Sequence, residues 1–446
     1  MIRWFKDTGP VKMEFPKQVT LVSRLKVLLL NQCFHPDHVS TAQHLTDLAL
    51  GLVKAGHEVT VVASSRGYDN PENRYPVFEK WNGIEIRRIW TPGLGKKSKL
   101  RRLIDFGIFW LNATRILLFL PRHDVLVCLT SPPLISTLGT LIAKLKGGLV
   151  IPWIMDLNPD EAVAAGWLRK GSMTERILTL VQNWSFRQAA RIVVLDRFMA
   201  ARLREKEIPE DVIHVLAPWS HDNVVQYDEA GRAAFRFKHG LEGKFVIMYS
   251  GNHSPCHPLD TLLKAAKVLA TDARVHFLFV GGGSEFAKVK AFSAAHSPGN
   301  ITCLPYQPIE TLSASLSSPD LHVVVMGDAF LGIVHPCKIY NILNLGLPFL
   351  YIGPEPSHVS DLAEHAATSS HTLMHRHDDV AGVVNSIRAA AARARVSPSP
   401  ELKRVASGFS QERLAREFVE LIQQTCGCLQ NLSSNLSGDM RISSAT

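Results

Sequence analysis

The chain has 446 residues, 49 Lys+Arg against 40 Asp+Glu for a formal net charge of +9, 46% hydrophobic residues and 20% charged ones. That length exceeds one ordinary core and fits two domains of about 200 residues each, and the apolar share excludes a disordered or fibrous chain. The 7 cysteines, of which only Cys426 and Cys428 stand close, exclude a disulfide scaffold and match neither a zinc knuckle nor a redox C-x-x-C, so a reducing cytosolic location is the simplest reading.

Residues 1–24 lack the apolar run of a signal peptide and are expected to form a loose leader. No stretch of 18 apolar residues runs uninterrupted by charge, which argues against a spanning helix. Residues 25–30 (LKVLLL) read as a buried parallel strand. A polar loop follows, then a helix over 42–55 with Leu45, Leu48, Ala49 and Leu52 on one face, closed by Gly56. Residues 58–63 (EVTVVA) make the next strand, completing a β-loop-α-β unit. Further strands are expected at 84–89, 125–129, 149–155, 191–195 and 212–216, with helices near 100–119, 134–146, 174–189 and 197–206. This is one α/β domain over 25–216. The polar stretch 217–244, containing Pro218, is expected to be a linker. A second α/β series fills 245–405, with strands at 245–249, 275–280, 301–304, 321–325 and 348–352. Helices are expected between them at 259–270, 285–295, 309–316 and 336–344. Segment 406–425 holds a last amphipathic helix at 410–424. The tail 426–446 has no periodicity and is expected to be disordered. The fold class is therefore α/β, with two Rossmann-like domains in tandem.

Several chemistries find no support. No G-x-G-x-x-G follows the first strand, so NAD and FAD are not expected. Walker A, His-Glu-x-x-His and Gly-x-Ser-x-Gly patterns are absent, and no Asp/His metal cluster is visible. The positive signals lie mainly in the second half. Strand FVIMY runs into Ser250-Gly251-Asn252-His253-Ser254, and Pro258 suits the first turn of a following helix. Such a strand–loop–helix start presents free amides to an anion such as a diphosphate, unless it is a plain tight turn. The next strand ends in Gly281-Gly282-Gly283, which lets a ligand reach the backbone. Then His335, Lys338 and Asn341 stand between apolar runs after a glycine-containing loop. A cation and an amide there suit a diphosphate oxygen and a ribose hydroxyl, the alternative being a solvated Lys on a surface helix. In the first half, Asp156 ends a buried strand, where strand ends face the crevice of an α/β sheet. An acid there can orient or deprotonate an acceptor hydroxyl, the alternative being a turn aspartate. Glu161 is a lesser candidate, and His35 and His38 in the first loop are candidates for sugar contact. Lys96, Lys97, Lys99, Arg101 and Arg102 precede an apolar helix containing Trp110. This reads either as a membrane-surface contact or as a buried helix with a solvated basic lead. The net charge suits an anionic partner, and no nucleic-acid-binding pattern accompanies it.

Taken in order, these segments resemble the GT-B glycosyltransferases of family 4, in the branch that builds O-antigen, colanic acid and other exopolysaccharides. The resemblance covers about residues 25–425. It rests on FHPDHVSTAQHLTDLALGLVKAGHEVTVV, TSPPL and MDLNPDE in the first half. In the second half it rests on YSGN, FVGGGSE, Pro305-Tyr306-Gln307, SPDLHVVV and HPCKIYNILNLGLP. It implies two Rossmann-like domains facing a cleft, with the helix of segment 406–425 crossing back to the first domain, and a retaining, metal-independent transfer with no cofactor. A UDP- or GDP-sugar would be held by Gly251, Asn252, His253, His257, Gly281, Gly282, Gly283, Tyr306, His335, Lys338 and Asn341. Asp156 and Lys338 would carry the catalysis, with His35, His38 and Glu161 on the acceptor side. The acceptor would be a polyprenyl-diphosphate-linked sugar or an oligosaccharide, met at the inner face of the cytoplasmic membrane by Lys96, Lys97, Lys99, Arg101, Arg102 and Trp110. The chain departs from the family pattern at two places. Ile333 and Asn341 stand where the Glu-x7-Glu pair would, and His257 stands in place of the usual cation. Two further readings remain: a non-catalytic or donor-impaired GT-B membrane assembly partner, and a nucleotide-sugar 2-epimerase.

Overall fold

The computed structural model describes residues 24–68, 70–94, 99–222, 224–296, 299–366, 371–393 and 397–442. All but the last residue of the expected leader 1–24, and both Lys96 and Lys97, lie outside the described residues.

The first lobe runs β1 (Lys26–Leu30), α1 (Ser40–Lys54), β2 (Glu58–Ser64), β3 (Phe78–Trp81), β4 (Ile84–Ile89), α2 (Lys99–Phe119), β5 (Val125–Cys128) and α3 (Ile135–Lys146). It continues with β6 (Leu149–Ile154), α4 (Asp160–Ala164), α5 (Met173–Arg187), β7 (Ile192–Val194), α6 (Arg197–Glu205) and β8 (Ile213–Val215). Its eight-stranded sheet has the order β3-β4-β2-β1-β5-β6-β7-β8. Only the edge pair β3–β4 is antiparallel. Strands such as β1 and β5 are apolar almost throughout because helices cover both of their faces.

The second lobe runs α7 (Glu229–Lys238), β9 (Phe245–Asn252), α8 (Asp260–Val268), β10 (Val275–Gly282), α9 (Phe286–His296), β11 (Ile301–Leu304), α10 (Leu312–Ser317) and β12 (Leu321–Val325). It ends with α11 (Lys338–Leu345), β13 (Phe349–Ile352), α12 (His358–His365), β14 (Thr372–His375), α13 (Val380–Ala391) and α14 (Pro400–Ser407). Its six strands pair in parallel in the order β11-β10-β9-β12-β13-β14.

In each sheet the strand order reverses once, at β1/β5 and at β9/β12, and ligands of open α/β sheets bind outside the carboxyl ends at such points. The two carboxyl ends face each other. The Leu157 amide after β6 donates to the Ile333 carbonyl after β12 at 2.8 Å, and Arg197 grips Asp361 through two bonds of 2.7 and 2.8 Å. One hydrophobic cluster takes in residues from both lobes, among them Leu157, Met199, Phe330 and Ile333.

Two expectations are corrected. Most of the segment 217–244 is not linker: Asp228 caps α7 by accepting from the Gly231 amide at 2.8 Å. Arg232 binds the Ser317 and Ser318 carbonyls and the Asp320 carboxylate, so α7 belongs to the second lobe. Nor does order stop at 426, for a final helix α15 runs Gln411–Ile442. It crosses back to the first lobe, where the Phe418 ring meets Trp153 edge-on at 4.7 Å and Gln423 bonds His57 at 3.0 Å.

Candidate functional site

The second-lobe wall is built where β9 and β10 end side by side, with Gly251 paired to Gly281 and Asn252 to Gly282. Gly281 has φ +133° and a Cβ there would overlap the Gly251 carbonyl, while Gly283, at φ +126°, sits against the His253 carbonyl. Only glycine allows the two strand ends to touch in this conformation. The half-exposed Tyr306 ring lies beside Gly282.

Lys338 opens α11 and reaches back under this cradle. Its Nζ lies 3.6 Å from the centre of the Tyr249 ring, and a Cβ on Gly251 would stand 3.4 Å from it. The ammonium is buried without a hydrogen-bond partner, and burial lowers its pKa to about 7. A buried, unpaired cation beside a glycine loop is an incomplete arrangement that an anion completes.

Asp156 follows β6 and Glu161 lies in α4, facing that cation's lobe from across the cleft. Burial and the neighbouring Glu161 charge push Asp156 up to about 8, against the pull of Arg102. Burial likewise raises Glu161, opposed by a hydrogen bond from Asn158 and by Arg102. Each of these two carboxyls is therefore harder to ionise than a free one. The second lobe closes over them: the Cys256 thiol, in the loop after β9, points at Glu161 Oε1 from 4.0 Å. Burial and the nearby acids push the Cys256 and Cys337 thiols up to about 12.

The expected residues therefore divide. Gly251, Asn252, Gly281, Gly282, Gly283, Tyr306 and Lys338 form one wall, and Asp156 and Glu161 the other. His257 stands in the same wall with Nδ1 donating to the Val325 carbonyl at 2.7 Å. Burial and the nearby Lys338 lower it to about 3, so it is neutral and does not replace the family's cation. His253 is fully buried among Tyr249, Phe279 and Phe286, with Nδ1 on the Gly251 carbonyl, and offers the cleft only its backbone.

His335 is a correction. Its side chain is fully buried, Nδ1 meets Asp196 Oδ2 at 2.7 Å and Nε2 meets the Tyr340 hydroxyl at 2.8 Å, leaving neither nitrogen for a donor. Asn341 is half-buried and its Oδ1 accepts from the His221 amide at 3.1 Å, so it anchors the lobe crossing. His35 stacks on Trp81 at 4.0 Å, and His38 is exposed, in the loop after β1. Arg101 and Arg102 lie in the first turns of α2, and Trp110 donates to the Pro133 carbonyl at 3.4 Å. The Lys99 side chain lies outside the described residues.

Sequence reasoning missed Asp196, which caps α6 through Met199 and holds His335. Its signal was an aspartate between a strand and a helix, at the N-cap place. Burial alone would raise its pKa, but His335 and His358 pull it down to about 2. Asp196, His335 and His358 gather within reach of one metal ion. The two imidazoles, however, are stacked 3.8 Å apart at 26°, so their in-plane lone pairs run side by side rather than converge. Asp196 and His335 make a hydrogen-bonded strap between the lobes, with the His358 ring stacked on that of His335. A separate cavity of about 650 Å³ lies at the opposite end of the second sheet, and the guanidinium groups of Arg232, Arg236 and Arg274 on its wall are engaged with Asp320, Asp272 and backbone carbonyls.

Residues 41–219 match the glycosyl transferase 4-like domain family. The chain is 24% identical over 338 residues to the "Putative colanic acid biosynthesis glycosyl transferase WcaI" of Escherichia coli (strain K12), covering 72% of this chain and 82% of that protein. Among solved structures, sucrose-phosphate synthase of Thermosynechococcus elongatus superposes with a TM-score of 0.70 at 14% identity, covering 91% of this chain and 100% of that one. Anabaena Alr3699/HepE in complex with UDP-glucose superposes with a TM-score of 0.66 at 12% identity, covering 90% and 100%. The chain is a glycosyltransferase with the GT-B fold, and its residues 41–219 form a glycosyl transferase 4-like domain.

Proposed function

We propose that the protein moves a sugar from a UDP- or GDP-sugar to a lipid-linked or oligosaccharide acceptor in cell-surface polysaccharide biosynthesis, with retained configuration and without a metal ion or other cofactor. The observation that carries this reading is the unpartnered Lys338 amine beneath the Gly251 loop, opposite the Asp156–Glu161 pair. The donor diphosphate lies on the backbone of Gly251–Asn252 and Gly281–Gly283, with Lys338 against its oxygens and the exposed Tyr306 ring beside the nucleoside. As the sugar–phosphate bond breaks, Lys338 meets the growing negative charge, which is the charge stabilisation that lowers such barriers. Asp156 orients the acceptor hydroxyl, whose proton passes to the departing phosphate oxygen on the same face. Positioning by the two walls supplies most of the remaining rate gain.

The polysaccharide setting is supported by the name of the relative WcaI. An inner-membrane location is supported by the outer layer of the first lobe. In α2, Leu100, Ile104, Leu111 and Leu118 form one exposed stripe opposite the buried Phe109, Ala113 and Leu117. Neighbouring α3 exposes Leu141 and Leu145, and α5 exposes Met173, Ile177 and Leu180. Arg101, Arg115, Lys144, Arg169 and Lys170 lie exposed around them. An apolar face with basic residues among it suits the headgroup layer of an anionic membrane. Among the described residues no helix is long and apolar enough to cross a membrane.

The test is a panel of UDP- and GDP-sugars incubated with acceptor lipids extracted from membranes, comparing the parent with Lys338→Ala. Transfer by the parent from at least one donor, lost in the variant, is expected. Donor binding without transfer to any acceptor would instead favour the assembly-partner reading, for which the committed Asn341 speaks.

A further inference from the structure

We propose that the second lobe carries a second reactive centre away from the cleft: Ser386, His375 and Asp379 form a nucleophile–base–acid chain that opens on the cavity of about 650 Å³ and cleaves short-chain carboxylic esters there. This activity goes beyond the transferase reading and does not depend on it.

The Ser386 hydroxyl, on α13, lies 2.8 Å from His375 Nε2, and His375 Nδ1 lies 2.7 Å from Asp379 Oδ2. The other Asp379 oxygen, Oδ1, accepts from the Gly382 amide at 2.9 Å and so caps α13. The bonds from His375 and from that amide hold the Asp379 carboxyl below the usual carboxylate range. The carboxylate therefore accepts the Nδ1 proton of His375, which leaves the lone pair of Nε2 to accept from the Ser386 hydroxyl. A serine inside a helix ordinarily turns to solvent or donates to the carbonyl four residues back. Among the described residues, Ser386 makes no such bond to Gly382, and its hydroxyl goes to the imidazole instead. The His375 side chain is only 14% exposed, so water competes little for Nε2. A base oriented by an acid and seated on a hydroxyl is the arrangement that activates an otherwise weak nucleophile.

The cavity supplies the rest of the site. Ser386 shares its wall with Leu321, Leu347, Pro348 and Leu373, an apolar surface for an acyl group. Arg393 lines it too, seven residues after Ser386 and so about two helical turns further along the same side. Arg232, Arg236 and Arg274 are engaged with carboxylates. The Arg393 guanidinium makes no hydrogen bond or ion pair with the described residues. The Ser386 amide is spent inside α13, so the negative charge that grows on the ester's carbonyl oxygen is met by Arg393. In the first step the Ser386 oxygen bonds the acyl carbon and its proton passes to His375 Nε2. The ester's C–O bond then breaks as that proton reaches the leaving alcohol. Water adds to the acyl carbon in the second step, which releases the acid and returns a proton to Ser386.

The centre is tested on the whole protein with a fluorophosphonate probe, located by mass spectrometry, and with p-nitrophenyl butyrate and palmitate as substrates. The parent is expected to carry one adduct, on Ser386, and to hydrolyse the butyrate in preference to the palmitate. Ser386→Ala should lose both. His375→Gln should slow labelling and kcat by about 100-fold, and Arg393→Gln should lower kcat by about tenfold, each with KM unchanged. Asp379→Asn keeps an oxygen to cap α13 and should lower kcat at unchanged KM and Tm, which also serves should the His375 variant fold poorly. No adduct, an adduct on another residue, or labelling that His375→Gln and Asp379→Asn leave at the parent rate would each overturn the proposal. So would an adduct on Ser386 with no hydrolysis of either ester, or a loss in the variants that lies in KM alone, as expected if His375 only ties β14 to α13.

Discussion

Replacing Lys338 by methionine should stabilise the protein and disable it together. Burial lowers the amine from 10.5 to about 7, which corresponds to roughly 5 kcal/mol held against the charged form. The Tyr249 ring 3.6 Å away returns about 2 kcal/mol of that. Methionine keeps most of the volume, so Lys338→Met should gain about 3 kcal/mol near pH 6–7. For a lobe of about 200 residues this is a rise of roughly 6–12 °C in Tm. The pH dependence follows from the sign of the shift. The folded pKa lies below the unfolded one, so the destabilisation is full below about pH 7 and fades as pH rises toward 10.5. The Tm gap between variant and parent should therefore close over that interval. At the same time the variant loses a charge-assisted contact to the diphosphate, about 10- to 100-fold in nucleotide affinity. Calorimetric melting from pH 6 to 10 and titration with UDP and GDP measure both effects. A lower Tm with unchanged nucleotide affinity would refute the reasoning, because Lys338 would then be a structural cation seated on Tyr249.

Asp156→Asn should cut kcat/KM by at least tenfold and flatten its pH profile. In the parent the carboxylate forms as pH rises through about 8, so activity should climb toward that value. Melting should also show Asp156→Asn more stable than the parent above pH 8, since a carboxyl whose pKa is raised from 3.8 costs stability as pH rises through that window. Gly283→Ala places a Cβ against the His253 carbonyl at φ +126°, and should cost more than about 1 kcal/mol in folding stability, read as a lower Tm, and weaken nucleotide binding as well. His335→Ala should cost about 3–5 kcal/mol in urea unfolding while leaving nucleotide affinity intact. Asp196, at about 2 when folded, contributes stability above its unfolded value that disappears as pH falls toward 2, so the gap to the parent should narrow there. Leu111→Glu, at a position 71% exposed, should leave Tm unchanged and weaken sedimentation with anionic vesicles.

Much of this molecule is legible along the chain because its determinants are local. Runs such as LKVLLL and VHFLFV can only be strands covered on both faces, and glycines 281–283 mark a strand end that must touch another backbone. The apolar face of α7 was an equally local signal, but the polar residues around it read as linker, whereas the amphipathic start of α15 was legible and only its continuation past 425 read as tail. The helical state of α7 came from capping by Asp228 and from packing on α10. The exposed stripe of α2 was harder, since an apolar stripe has the same spacing whether it faces a core or the outside.

What the sequence by itself determined is the order of strands, turns and helices, and through it the two lobes and the ends at which ligands bind. Only the tertiary structure decided which polar side chains face the cleft. His335 and Lys338 are three residues apart, yet one is turned inward by Asp196, 139 positions away, and the other is left without a partner. A side chain's direction depends on the groups that compete for its hydrogen bonds, and those are brought together by folding rather than by proximity along the chain.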